Sequence, residues 1–147
     1  MQRHVGRELR LLNNLIMRHV DSQKSLREIQ RLTGTNGWII GYIEEHGDEP
    51  VYQKNLEMEF GITRSTASKV VNLMVQKGFL RRESVSHDAR LKRLRLTEQA
   101  TAVSQQLRQC REEFEKTLMK GFSPKEEKQL LAFIDRMKYN METANEE

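Results

Sequence analysis

The chain has 147 residues, 37% of them hydrophobic and 31% charged, and a formal net charge of +4. Its length fits one domain, and no apolar run is long enough to span a membrane or to act as a secretory signal. A lone cysteine, Cys110, excludes an internal disulfide and fits the reducing cytoplasm.

Charge is distributed unevenly. Between Gln53 and Thr97 stand ten Lys and Arg against four Asp and Glu, a net of +6, while residues 1–52 balance and residues 98–147 carry −2. Cations gathered in one stretch point to a polyanionic partner.

In chain order, Val5 to about Gln30 predicts a long first helix with Leu9, Leu12, Ile16 and Val20 on one stripe and Leu15 and Met17 beside it. Apolar residues on more than one side of so long a helix suggest a second subunit. Leu32 to His46 predicts a second helix, capped by Thr33 or Thr35, with Trp38, Ile39, Tyr42 and Ile43 on its apolar side. Gly37 and Gly41, one turn apart, each cost about 1 kcal/mol against Ala inside a helix, which implies close approach of another helix or a ligand. Gly47 ends this helix and Asp48-Glu49-Pro50 turns the chain. Gln53 to Phe60 follows as a short helix buried through Leu56 and Phe60.

Gly61 and Thr63 then stop one helix and cap the next. Ala67, Val70, Val71 and Met74 form a buried stripe on it. Its other face carries Arg64, Ser65, Thr66, Ser68, Lys69 and Asn72, hydrogen-bonding groups and cations without an acid, which suits phosphates and base edges in a DNA major groove. Gly78 stops this helix. Phe79 to Ser84 and Lys92 to Leu96 read as two antiparallel strands around a polar loop, Val85 to Leu91, that holds His87, Asp88 and Arg90. A cationic ribbon after a recognition helix is a winged helix-turn-helix layout. Thr97 caps a helix to about Lys120 with Ala100, Val103, Leu107, Cys110, Phe114 and Leu118 on a coiled-coil-like seam. Gly121 closes it, and Ser123-Pro124-Lys125-Glu126 opens a last helix lined by Leu130, Leu131, Ile134, Met137 and Met141. Asn145-Glu146-Glu147 reads as a frayed end.

The fold class expected is mainly α with a small β-wing (α+β). A winged-helix lobe at 35–97 is flanked by dimerisation helices at 1–34 and 98–147. Leu9, Leu12, Ile16, Leu107, Phe114, Leu118, Leu130, Ile134 and Met137 are the residues expected to join two copies.

The run Arg64-Ser65-Thr66-x-Ser68-Lys69, then Lys77-Gly78-Phe79-Leu80, and the wing signature Asp88-x-Arg90 followed by Leu96-Thr97 resemble the MarR family of bacterial transcription regulators. The resemblance extends over nearly the whole chain, since the flanking helices match in number, length and order. It implies a two-fold dimer reading a palindromic operator in major grooves about one helical turn apart, roughly 34–36 Å. Ser65, Thr66, Ser68, Lys69 and Asn72 are expected to read bases, and Arg64, Lys77 and Arg93 to contact the backbone. Arg90 would enter the minor groove, with Asp88 bracing the loop; the resemblance implies the same roles for both. Occupying a promoter would repress it.

Other side chains carry weaker signals. The family binds small aromatic effectors between the dimer helices and the DNA-binding lobe, which makes His19, Trp38 and Tyr42 candidates for an effector cleft; an ordinary aromatic core is the plainer expectation. Cys110 lies on an apolar seam without a second cysteine and reads as a packed thiol rather than a peroxide sensor. His4, His19, His46 and His87 lack ligand spacing, so no metal is expected, and no cofactor either. An exposed wing tip has no pocket to make Asp88 catalytic. No phosphate-binding loop, nucleophile elbow or catalytic triad pattern is present, so enzyme activity is not expected. A winged helix used only for protein interaction is the alternative, although it has no need of +6 on the reading lobe.

Overall fold

The computed structural model describes residues 1–33, 36–144 and 146, without the side chain of Leu32. Thr35, one of the two expected caps, the expected lobe boundary at 34/35, and Asn145 and Glu147 of the expected frayed end lie outside the described residues. Among the described residues the order is α1 (Val5–Ser22), α2 (Lys24–Thr33), α3 (Gly37–Glu45), β1 (Val51–Tyr52), α4 (Gln53–Phe60), α5 (Arg64–Gln76), β2 (Leu80–Val85), β3 (Asp88–Leu96), α6 (Glu98–Leu118) and α7 (Pro124–Ala144). The chain forms two compact units, 1–110 and 111–147.

The long first helix expected over Val5–Gln30 is in fact two. Gln23 leaves helical geometry at φ −87° and ψ 116°. Just before it, the Ser22 hydroxyl donates to the His19 carbonyl at 2.7 Å, and short polar side chains that bond the backbone in this way weaken helix continuation. The Gln23 carbonyl then accepts from Arg27 N–H and starts α2. The second expected helix begins at Gly37 rather than Leu32. Thr33 does not cap it: it ends α2, buried, with its hydroxyl donating to the Ile29 carbonyl at 2.8 Å.

Unit 1 is built on a core of Ile39, Ile40 and Ile43 from α3, Val51, Leu56, Val71, Met74, Phe79, Leu80, Leu94 and Ala100, to which every element from α3 to the start of α6 contributes. The close approach foreseen at Gly37 is a helix: an added Cβ would meet Leu107 Cδ2 and Thr33 Oγ1, each at 3.3 Å. Leu107, expected on the dimer seam, is therefore packed against the core of its own chain. Cys110 is buried, with its Sγ 3.8 Å from the Ser25 hydroxyl. Leu56 is buried as expected, but Phe60 is more than one-third exposed.

A three-stranded antiparallel sheet, in the order β1-β3-β2, joins the wing to this core. β1, unanticipated, pairs Val51 with Leu94 and Tyr52 with Arg93; a two-residue strand is too short to show alternation. The wing pairs Leu80 with Leu96 and Arg82 with Leu94, and an irregularity at Ser84/Val85 brings Val85 opposite Asp88. Its loop is thus much shorter than Val85–Leu91, and Asp88 and Arg90 belong to β3.

In unit 2, Phe114 and Leu118 at the end of α6 are half-buried. Ser123 and Glu126 exchange the two bonds of a capping box, at 2.7 and 3.1 Å, with Pro124 opening α7. No residue of α7 is buried. Leu130, Ile134 and Met137 are half-buried, and Leu131, Phe133, Tyr139 and Met141 are exposed.

Candidate nucleic-acid interface

Gly61, at φ 59°, ends α4, and three residues on the chain enters α5, which gives the helix-turn-helix. Thr63 caps α5: its Oγ1 accepts from Thr66 N–H at 3.2 Å and donates to the Thr66 hydroxyl at 2.9 Å. This fixes the first turn and presents Arg64, Ser65 and Thr66 to solvent. Ala67, Val71 and Met74 are buried and Val70 half-buried, so the helix is seated on one stripe. Lys69 and Asn72 are exposed on the other face and Ser68 is half-buried. Lys77, half-buried, is the C-cap, and Gly78 at φ 84° turns the chain into the wing.

The wing's cations are differently engaged. Arg95 Nε donates to Glu83 Oε2 at 2.7 Å, and Arg81 lies 3.3 Å from the same carboxylate. The bond from Arg95, with the positive charges of Arg95, Arg81 and Arg93, holds Glu83 below the usual glutamate range despite some opposing desolvation. Lys92 Nζ donates to Ser84 Oγ at 2.7 Å, which stiffens the ribbon across its two strands. Arg93 donates to the Asp48 carbonyl at 2.9 Å, tying the wing to the α3–β1 turn. Arg82 donates to Asn72 Oδ1 and links the wing to α5. The Asp88 carboxylate accepts from the Arg90 backbone N–H at 2.8 Å, leaving the exposed Arg90 side chain to project from β3.

Between α4, α5 and the wing lies a groove of about 470 Å³ lined by Lys54, Arg64, Arg82, Arg90 and Lys92, with Glu57 as its one acid and Tyr52 and Leu91 among the remaining walls. The structure brings Arg64 and Arg90, both expected as DNA contacts, to one groove. Lys54, Arg82 and Lys92 were not among the residues expected there. Strand register would have shown Arg82 opposite Leu94, but only tertiary packing shows that it reaches Asn72.

The expected effector residues fare unequally. Trp38 and Tyr42 are half-buried and both meet Phe60, with ring centroids 4.0 and 5.5 Å apart. Tyr42 also stacks on His46 at 4.2 Å, and His46 Nδ1 lies 2.7 Å from the Tyr42 carbonyl. Burial raises the Tyr42 pKa, helped by Glu59 and Glu49, so its phenol stays a hydrogen-bond donor. His19 is half-buried in the last turn of α1. Among the described residues no cluster of His, Cys, Asp and Glu could hold a metal, and no helix is long and apolar enough to cross a membrane.

A capped recognition helix behind a helix-turn-helix, followed by a cationic β ribbon, defines a winged helix-turn-helix protein. The sequence profile of the MarR family matches residues 32–91. The transcription regulator MarR from Oenococcus oeni PSU-1 superposes with a TM-score of 0.80 at 26% identity, over 92% of this chain and 99% of that one. The S. aureus MepR–DNA complex superposes with a TM-score of 0.79 at 18% identity, over 95% of this chain and 99% of that one. An uncharacterized HTH-type transcriptional regulator of Bacillus subtilis, YwhA, is 23% identical over 91% of this chain and 97% of its own length. The chain thus resembles the MarR family of winged-helix transcription regulators, through the family profile over residues 32–91 and through a fold shared over nearly its whole length.

Proposed function

We propose that the protein is a cytoplasmic homodimeric repressor that binds a palindromic operator in double-stranded DNA, acts by occupancy rather than catalysis, and is released by a small aromatic effector. The observation that carries this reading is the cationic groove beside an acid-free, exposed helix face. Arg64, Arg82, Arg90, Lys54 and Lys92 surround one space, and Ser65, Thr66, Lys69 and Asn72 stand ready on α5. Ser65, Thr66, Ser68, Lys69 and Asn72 read bases, Arg64, Lys77 and Arg93 hold the backbone, and Arg90, braced by Asp88, enters the minor groove. Residues 35–97 form the DNA-binding lobe, and the helices of 1–34 and 98–147 join the two copies. MepR, of the same fold, was crystallised with DNA, which supports the same class of partner here.

The test is a gel-shift titration at two salt concentrations. If six to ten phosphates are neutralised per dimer, affinity falls by roughly 10³–10⁵ between 50 and 200 mM salt. A nearly flat response refutes DNA binding through this groove. The effector arm has its own probe, because Trp38 is the single tryptophan. Titration with benzoate, as a simple aromatic carboxylate, should change Trp38 emission and release operator DNA together; unchanged emission removes Trp38 and Tyr42 from that role.

A further inference from the structure

Asn72 and Arg82 are ten residues apart, one on the exposed face of α5 and one on β2, and the Arg82 guanidinium donates to Asn72 Oδ1. A guanidinium has only donors, whereas an amide has one acceptor oxygen and a two-donor nitrogen. Reversing the Asn72 amide would set donor against donor, so the cation fixes its orientation. Both residues are exposed, and Arg82 also lines the cationic groove, so a bound duplex would meet the pair rather than Asn72 alone.

This has a consequence for base choice. Recognition of adenine by asparagine uses the amide oxygen to accept from N6 and the amide nitrogen to donate to N7. Here the oxygen is held by Arg82, with a positive charge beside any second donor that approaches. What remains outward is the amide N–H₂, which matches the two acceptors of guanine (O6 and N7) and the O4 of thymine; adenine offers it N7 alone, beside an N6 donor that the held oxygen no longer takes. Building on the DNA-reading function above, we infer that Arg82 is a positioning residue that presents Asn72 as a donor alone, so that the base Asn72 meets is guanine or thymine rather than adenine.

Selection of binding sites from random duplex DNA, with the full-length wild type, Asn72→Ala, Arg82→Ala and Arg82→Lys, tests this. The wild type enriches guanine or thymine at one position per half-site, and Asn72→Ala levels that position. Arg82→Ala lowers discrimination at the same position roughly ten-fold and admits adenine, while the rest of the profile persists. Arg82→Lys keeps a cationic donor and retains the preference. The inference is overturned if adenine is enriched at the Asn72-dependent position, or if Asn72→Ala leaves the profile intact. It is also overturned if Arg82→Ala weakens all sequences alike, which is the mark of a phosphate contact. Those outcomes leave the DNA-binding function standing. A wild type that enriches no sequence overturns both.

Discussion

Arg90 and Lys69 are exposed cations of one lobe to which the proposed function gives different tasks. Lys69 stands on the exposed face of α5, where its ammonium can reach major-groove edges, and a good base contact there is worth about 1–3 kcal/mol. Arg90 projects from β3 just past the turn, its backbone held by Asp88, and in the proposed complex it would enter a groove read more by width and potential than by base identity. Lys69→Ala should therefore relax preference at a few positions, whereas Arg90→Ala should lower affinity for operator and scrambled DNA together. Affinities for both DNAs at one salt concentration decide it, and unchanged affinities for Arg90→Ala would remove the wing as a DNA contact. Glu83 supplies a pH test. Its folded-state pKa lies below the ordinary 4.5, mainly through the bond from Arg95, so it stabilises the wing above its unfolded value. That contribution is lost only as pH falls through the lower folded value. Glu83→Gln should melt earlier than wild type at neutral pH and converge with it in strong acid; parallel melting curves at every pH would show that the ion pair adds nothing. The exposed face of α5 was legible in the sequence because helical spacing alone assigns it. Lys54, Arg82 and Lys92 were not, because their meeting depends on sheet register and on the packing of the wing beside α5.

Thr97 illustrates how the elements are joined. Its hydroxyl donates to the Gly78 carbonyl and accepts from Ala100 N–H, so one side chain binds the end of the recognition helix to the start of α6 across the base of the wing. Thr97→Val keeps the shape but removes both bonds. Loss of a cap costs about 1 kcal/mol, and a carbonyl left without its donor adds to that. Denaturant unfolding should shift by roughly 1–3 kcal/mol, and a change within error would mean that water replaces both bonds. Elements announced by strong local chemistry were legible. Ser123-Pro124 with Glu126 marked the start of α7, and Gly61 and Thr63 marked the turn before α5. Elements decided by competition were not. Val5 to Gln30 has helical periodicity throughout, yet a backbone bond from Ser22 and an extended Gln23 divide it. The strand at Val51–Tyr52 exists through its pairing with Leu94 and Arg93, which no local pattern announces. Phe60 fits an apolar stripe, but its ring meets Trp38 and Tyr42 at the surface.

For the molecule as a whole, the apolar residues that the chain leaves uncovered bear on how two copies would meet. On α1, Val5, Leu9, Leu11, Leu12, Leu15 and Met17 are exposed and none of its residues is buried; on α7, Leu131, Phe133, Tyr139 and Met141 are exposed. So many large apolar side chains on two helices exceed what isolated surface residues need explaining. Leu107 is a poor place to test this, because it packs on its own core and a charge there would unfold the lobe. Leu12 is better, since it is 44% exposed and a glutamate in its place can be solvated in the single chain. Leu12→Glu should leave the fold and melting of the lobe intact while shifting light scattering from dimer to monomer. The same variant separates dimerisation from DNA contact. Each lobe would still bind an isolated half-site as before, but the linked second lobe would be lost, and with it an avidity on the order of 10²–10⁴ for the full palindrome. Equal losses on half-site and palindrome would mean that α1 acts through the lobe itself, and a variant that remains dimeric would place the interface elsewhere.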